Sequence, residues 1–393
     1  MTSVHSNKSQ KKKWYLKNLC NLNEILQFPS ETPISPNQTS PMSSREILGV
    51  SWSVLKFPLW LGYEWISHNF PKEVPVNKKF MKLFGFIILM ISLVSCAKKD
   101  SETSKSETQT FSKPGFVAVG NNGTIATSSS DATTWTLQSS GVNSTLFGVT
   151  YNNGLFVATG SSGTVLNSND GINWTDHTST SYTAHFFKDN AYLNNLYWAV
   201  NDNGSIFSSS DGKIWTSKYT GAIDGFYSIT YGNNKYVTVG TSSGLLNIIN
   251  SSDGINWTTV TNSINRYHLN QIIYAKNLFI SVGYAGLIVT SSDSDNWTLQ
   301  TSGTNQSLVS IVYGDNLFVA VGGSGTVITS SDGTSWESQT SITSNTLKGV
   351  TFGNGKYVAV GQSGTIISSS DGINWTSHSS GTTEEFKRVA YAE

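Results

Sequence analysis

The chain reads as an all-β protein, a closed seven-bladed β-propeller. Three observations lead there: a short phrase that occurs seven times, a period near forty residues, and chain ends that supply complementary parts of one repeat. The phrase is Ser-x-Asp, followed four residues after the Asp by Trp. Its aspartates are Asp131, Asp170, Asp211, Asp253, Asp293, Asp332 and Asp371, and its tryptophans are Trp135, Trp174, Trp215, Trp257, Trp297, Trp336 and Trp375. Successive aspartates stand 39 to 42 residues apart.

Each period holds four strand-like segments. The first reads Leu-x-Gly-Val-Thr-Tyr at Leu146 to Tyr151, with counterparts at Phe226 to Tyr231, Leu308 to Tyr313 and Leu347 to Phe352. The second is a β-branched and aromatic run ending in Gly, as at Phe156 to Gly160, Tyr236 to Gly240, Phe318 to Gly322 and Tyr357 to Gly361. The third, such as Gly325 to Ser330, leads into the Ser-x-Asp turn, and the fourth begins around the Trp. Short Val-, Ile-, Thr- and aromatic-rich runs separated by Asn-Gly, Asp-Gly and Ser-Gly pairs are antiparallel strands in hairpins, and four such strands make a propeller blade. The repeats begin with a second-type strand, Phe116 to Gly120, and finish with a first-type strand, Phe386 to Tyr391. Pairing the two closes the ring and removes two long unpaired edges, which would otherwise template aggregation. A monomeric propeller is expected, over residues 114–393.

The turn chemistry explains the phrase. A Ser or Asp oxygen accepts hydrogen bonds from backbone N–H groups where the chain reverses, in place of ladder bonds. Gly after the Asp, at Gly171, Gly212, Gly254, Gly333 and Gly372, suits a left-handed backbone. Ala132 and Ser294 stand there in two repeats, which predicts strained or differently shaped turns. The Trp offers a large apolar surface between layers, and truncating a buried one to Ala costs ~3–5 kcal/mol.

With these residues in place the chain resembles the bacterial neuraminidase repeat, or Asp-box, superfamily, which includes sialidases, some endo-glucanases, sortilin-type receptor domains and photosystem assembly factors. The usual motif reads Ser-x-Asp-x-Gly-x-x-Trp. Here Gly and Trp each fall one residue closer to the Asp, so the turn is a shorter variant. The likeness covers Phe111 to Glu393. It implies that the box is a structural hairpin at the blade periphery, so the seven aspartates are read as scaffold rather than as catalytic acids.

A second signal precedes the repeats. Lys78, Lys79 and Lys82 lead into an almost entirely apolar stretch, Leu83 to Val94, which ends in Leu93-Val94-Ser95-Cys96. A membrane-spanning helix takes ~20 apolar residues, so this stretch is too short for one and suits a signal-peptide core. The ending resembles the bacterial lipoprotein box, which implies lipidation of Cys96 and a signal peptide over residues 81–96. Met81 is then the expected initiator, and residues 1–80 are an upstream extension that is not part of the native protein or, if made, a disordered basic tail. Charge supports the division: residues 1–80 carry ten Lys and Arg against five acids, whereas 111–393 carries eleven against seventeen. A basic face for nucleic acid is therefore not expected on the propeller. Residues 97–113 are Ser, Thr, Lys and Glu with little that is apolar, a composition suited to a tether between lipid and propeller. Ala97 lacks the Asp that retains enteric lipoproteins at the inner membrane, so by the same resemblance the outer membrane is the expected location, with the propeller facing either the cell surface or the periplasm.

Signs of catalysis are weak. The resemblance to sialidases implies an arginine triad, and the propeller has only Arg266 and Arg388. Glucanase chemistry needs two facing carboxylates, and the acids outside the boxes (Asp176, Asp189, Asp202, Asp224, Asp295, Asp315, Glu337, Glu384, Glu385, Glu393) single out no pair. His177, His185, His268 and His378 show no ligand spacing, so no metal and no cofactor are expected. What varies between repeats is the better guide to a site. Tyr182 and His185, then Tyr219 and Asp224, then Arg266, Tyr267, His268 and Tyr284 interrupt otherwise bland loops on one face, and aromatics and Arg are the residue types of interaction hot spots. The expected function is thus a lipid-anchored, exported binding or scaffold module for a protein or a glycan, without catalysis. The alternatives are an Asp-box glycoside hydrolase and a membrane-complex assembly factor.

Overall fold

The computed structural model describes residues 115–392 apart from 222–224, 262–263 and 265. The leader, Cys96 and the tether lie outside the described residues, as does Asp224. The described chain forms seven four-stranded antiparallel sheets. Blade 1 joins Phe386–Tyr391 to Phe116–Gly120, Ile125–Ser128 and Trp135–Gln138. Blades 2 to 7 are continuous in sequence, and their innermost strands are Leu146–Asn152, Phe187–Leu193, Gly225–Gly232, Leu269–Ala275, Leu308–Gly314 and Leu347–Gly353. Closure is as the ends imply: Phe116 pairs with Tyr391, Val117 with Ala390 and Ala118 with Val389, and the Ala392 N–H donates to the Gly115 carbonyl at 2.8 Å.

Position within the blade explains each strand's composition. The second strand lies inside its sheet with both faces against neighbouring blades, so Phe116–Gly120 and Lys356–Gly361 read as near-continuous apolar runs and are almost wholly buried. Every innermost strand carries a large apolar residue near its start, Leu146, Phe187, Phe226, Leu269, Leu308, Leu347 or Phe386, with no exposed surface. The outermost strands are two to five residues long and Thr-rich, which leaves little edge to pair with another chain. Hairpins between the first two strands place left-handed residues at both central positions, for example Asn153 with Gly154 and Asn354 with Gly355.

The Ser-x-Asp turns join the third strand to the fourth. In blade 7 the Asp371 carboxylate accepts from the N–H groups of Ile373 and Asn374 at 2.9 and 2.7 Å, while the Ser369 hydroxyl accepts from the Gly372 N–H at 2.9 Å. Burial alone would raise Asp170, yet the N–H and side-chain amide of Asn173 and the N–H of Ile172 outweigh it and bring its pKa to about 2. In five blades the indole N–H donates to the carbonyl three residues earlier, as Trp174 does to Gly171 at 2.9 Å. Ser294 holds φ 73° and keeps the hydroxyl bond seen in glycine-bearing turns, so that turn is not reshaped. Ala132, at φ 59°, differs: its N–H donates to the Ser129 carbonyl instead.

Candidate functional site

Two regions carry chemistry, and both follow from the inner strands. Each inner strand has a sheet partner on one side only, so its other edge presents backbone groups to the central channel. Near its start each strand also carries a β-bulge, which re-aims a side chain. The bulged residues are Phe147, Lys188, Tyr227, Asn270, Val309, Lys348 and Lys387. They surround the channel mouth on the face that also carries the blade-to-blade crossovers and the turns between second and third strands. Lys188 lies 4.7 Å from the Phe147 ring and 3.5 Å from Asp202, while Lys348 and Lys387 both pair with Glu385.

On this crossover face an unbroken aromatic run crosses blades 4 and 5. Tyr227 meets His268 with centroids 5.7 Å apart, His268 meets Tyr284 at 5.6 Å, and Tyr284 meets Tyr267 edge-on at 5.0 Å. Tyr267 is 57% exposed and Tyr284 46%, with exposed Arg266 next along the chain. Burial holds the His268 pKa below the usual imidazole value. The structure therefore brings together Arg266, Tyr267, His268 and Tyr284 from the sequence-predicted residues and adds Tyr227, which the loop-based reading missed because it sits within a strand.

The other expected site residues are placed differently. Tyr182 donates its hydroxyl to the Trp215 carbonyl and packs against Phe187 and Phe207. His185 lies against Phe207 with its Nδ1 2.8 Å from the Asn201 amide. Tyr219 is packed on Phe226 and Trp257. These three fill space within and between blades, apart from the exposed run.

Inside the channel lies a second feature that the sequence reading did not single out. The residue after each bulge forms a ring of seven members and five residue types: Gly148, Asp189, Ser228, Gln271, Ser310, Gly349 and Arg388. Arg388 of blade 1 reaches past blade 2 to Asp189 of blade 3, with Nη2 2.9 Å from Oδ1, and the Ser228 hydroxyl donates to Oδ2 at 2.7 Å. Burial pushes the Asp189 carboxyl up, against the pull of the Arg388 guanidinium and the Ser228 hydroxyl. Asp189, Ser228, Gln271 and Arg388 of this ring border a cavity of about 680 Å³ that extends along the channel past Thr150, Thr230 and Thr351 to Tyr151 and Tyr391. The signal was present in the aligned first strands, where this column reads Gly, Asp, Ser, Gln, Ser, Gly, Arg and the bulge column before it also varies, while the Leu or Phe that precedes the pair and the Tyr or Phe three residues after it recur in every blade.

Fold and channel together define a seven-bladed β-propeller of four-stranded blades. No protein-family model matches the chain, and no curated protein matches it. Solved structures do. They include YCF48 bound to a D1 peptide, with a TM-score of 0.55 and 18% identity over 66% of this chain and 88% of that one. YCF48 from Cyanidioschyzon merolae gives 0.51 and 16%, covering 64% and 89%. A streptogramin B lyase gives 0.53 and 14%, covering 60% and 82%. At these identities the likeness is one of fold.

Proposed function

We propose that the propeller is a non-catalytic binding module that docks a protein partner on its crossover face over blades 4 and 5, working at a membrane surface to which Cys96 attaches it after export. One observation carries the docking site: Tyr227, His268, Tyr284 and Tyr267 are in continuous ring contact, yet the outer two rings remain substantially exposed beside Arg266. Rigid aromatics lose little entropy when a partner orders against them, and Arg adds both charge and a stacking surface. YCF48 bound to a D1 peptide is a neighbour in fold, which supports a peptide segment as the element recognised. The basic, apolar and Cys-terminated run before the propeller supports the anchor.

Replacing Arg266, Tyr267 and Tyr284 together with Ala removes exposed side chains and should leave the melting temperature within a few degrees of wild type. A partner recovered from native membranes with the wild-type propeller should bind the triple variant at least about tenfold more weakly. Equal binding to both defeats the docking site. Turnover on a glycan array replaces this reading with the hydrolase one, and retention of a glycan without product replaces the protein partner with a carbohydrate. Intact-mass measurement tests the anchor separately, because a mature species that retains residues 1–95 rules it out.

A further inference from the structure

The channel ring leaves one sector incomplete. In two sectors a ring side chain caps an edge N–H of the next blade: Gln271 Oε1 accepts from the Ile311 N–H at 2.8 Å, and Ser310 Oγ accepts from the Val350 N–H at 3.0 Å. In blade 7 the ring residue is Gly349, and the equivalent N–H of the following blade belongs to Val389. A Cβ at 349 would stand 2.9 Å from the Arg388 Cα and 3.3 Å from that nitrogen, so the close approach of the next blade requires glycine and the N–H is left without a side-chain cap. On the other side of Arg388 the ring residue is again glycine, Gly148, but there the Asn190 N–H is taken by the Asp189 carboxylate. Arg388 is thus flanked by the two ring positions that offer no side-chain acceptor. It is itself under-used: one Nη bonds Asp189, and Nε has no partner. Asn190, 5% exposed and lining the same cavity, holds its Oδ1 without a partner where the other blades carry Val or Ile.

Against that one unpaired acceptor stand two donors without a side-chain acceptor, the Arg388 Nε–H and the Val389 N–H, beside a cavity with room for several heavy atoms. We propose that the channel is a binding site for a carboxylate, which enters the cavity that Arg388 and Val389 line and accepts from the Arg388 guanidinium and the Val389 N–H. A carboxylate matches the planar fork of a guanidinium and supplies an acceptor oxygen where Gly349 offers no side chain. Asp189 keeps Arg388 extended across the channel, and Ser228 in turn holds Asp189 in place. The carboxylate belongs either to a free small acid or to the C-terminus of a peptide that enters the channel. This site lies inside the ring, apart from the aromatic run, and stands or falls independently of it.

The probes are acetate and triglycine with a free or an amidated C-terminus, followed by amide and guanidinium NMR on the intact propeller. Acetate at about 10 mM should shift the Val389 N–H and Arg388 Nε–H signals. Free-acid triglycine should shift the same signals, and the amidated form should be at least about tenfold weaker. Tighter binding of free-acid triglycine than of acetate points to a chain end, and equal binding points to a small acid. Arg388→Gln combined with Asp189→Asn removes both charges of the pair and should abolish the response. Ser310→Ala, which uncaps the Val350 N–H without adding a cation, should leave it unchanged. Absence of shifts in the wild type, equal binding of the amidated peptide, or an undiminished response in the double variant overturns the proposal. The wild-type measurement does not depend on how well any variant folds.

Discussion

The rim and the hub of this propeller are built on opposite rules. At the rim one hairpin is used seven times with nearly the same hydrogen bonds, whereas in the hub seven equivalent ring positions hold five different residue types. Repetition marks where every blade faces the same physical problem, reversing the chain and packing an indole. Difference marks where the blades jointly face one object, the channel, and each need contribute only its own part. The same contrast separates the bland crossover loops from the aromatic run over blades 4 and 5.

The largest expected effect breaks the hub. Arg388→Ala alone leaves the Asp189 carboxylate buried without its cation and should cost ~3–5 kcal/mol in denaturant unfolding. Arg388→Gln with Asp189→Asn should cost far less, because no buried charge is left over. If the single and double variants unfold alike, the pair is not the element that ties blade 1 to blade 3.

At the rim the apolar part should matter more than the polar part. Trp215→Ala, at a residue only 3% exposed, should cost ~3–5 kcal/mol, against ~1–2 kcal/mol for Asp332→Ala, whose carboxylate accepts the N–H groups of Thr334 and Ser335. A reversed order in urea titrations would make the hairpin, rather than the indole, the main strut. A finer test uses Phe: Trp375→Phe gives up the bond to the Gly372 carbonyl, whereas the Trp215 indole N–H has no acceptor to lose. The former should be the costlier by about 1 kcal/mol.

The smallest effect is one of pH. Rim carboxylates such as Asp170, Asp293, Asp332 and Asp371 titrate below their unfolded values, so the stability that they contribute is complete above about pH 5 and fades as pH falls toward about 2. Melting temperature should be nearly level from neutrality to about pH 5 and then decline. Asp189 is pushed the opposite way by burial, so Asp189→Asn should keep this acid limb while Asp170→Asn shortens it. An acid limb insensitive to rim substitutions would show that the hairpin carboxylates do not set it.

Legibility in the sequence followed the same division. The blade count, the strand order and the pairing of Phe116–Gly120 with Phe386–Tyr391 were readable because each rests on local pattern: period, turn residues and apolar runs. Arg388 and Asp189 stand 199 residues apart, and only ring closure makes them neighbours across a blade. Considered by residue type, Arg388 served merely to show that three arginines were not available. Tyr182, His185 and Tyr219 drew attention as aromatics in variable loops, yet sequence cannot tell a ring turned inward to fill space from one left facing water. Ring contacts make that distinction, and they also add Tyr227 to the exposed run.

Blade 1 takes its innermost strand from the far end of the repeats, and this carries a cost during synthesis. Until Phe386–Tyr391 has emerged, Phe116–Gly120 has one naked edge, and Leu146 and Val149 face a gap instead of a wall. A product terminated early would present a sticky, unsealed sheet to chaperones and proteases, so the same joint that completes the channel also certifies that translation reached it.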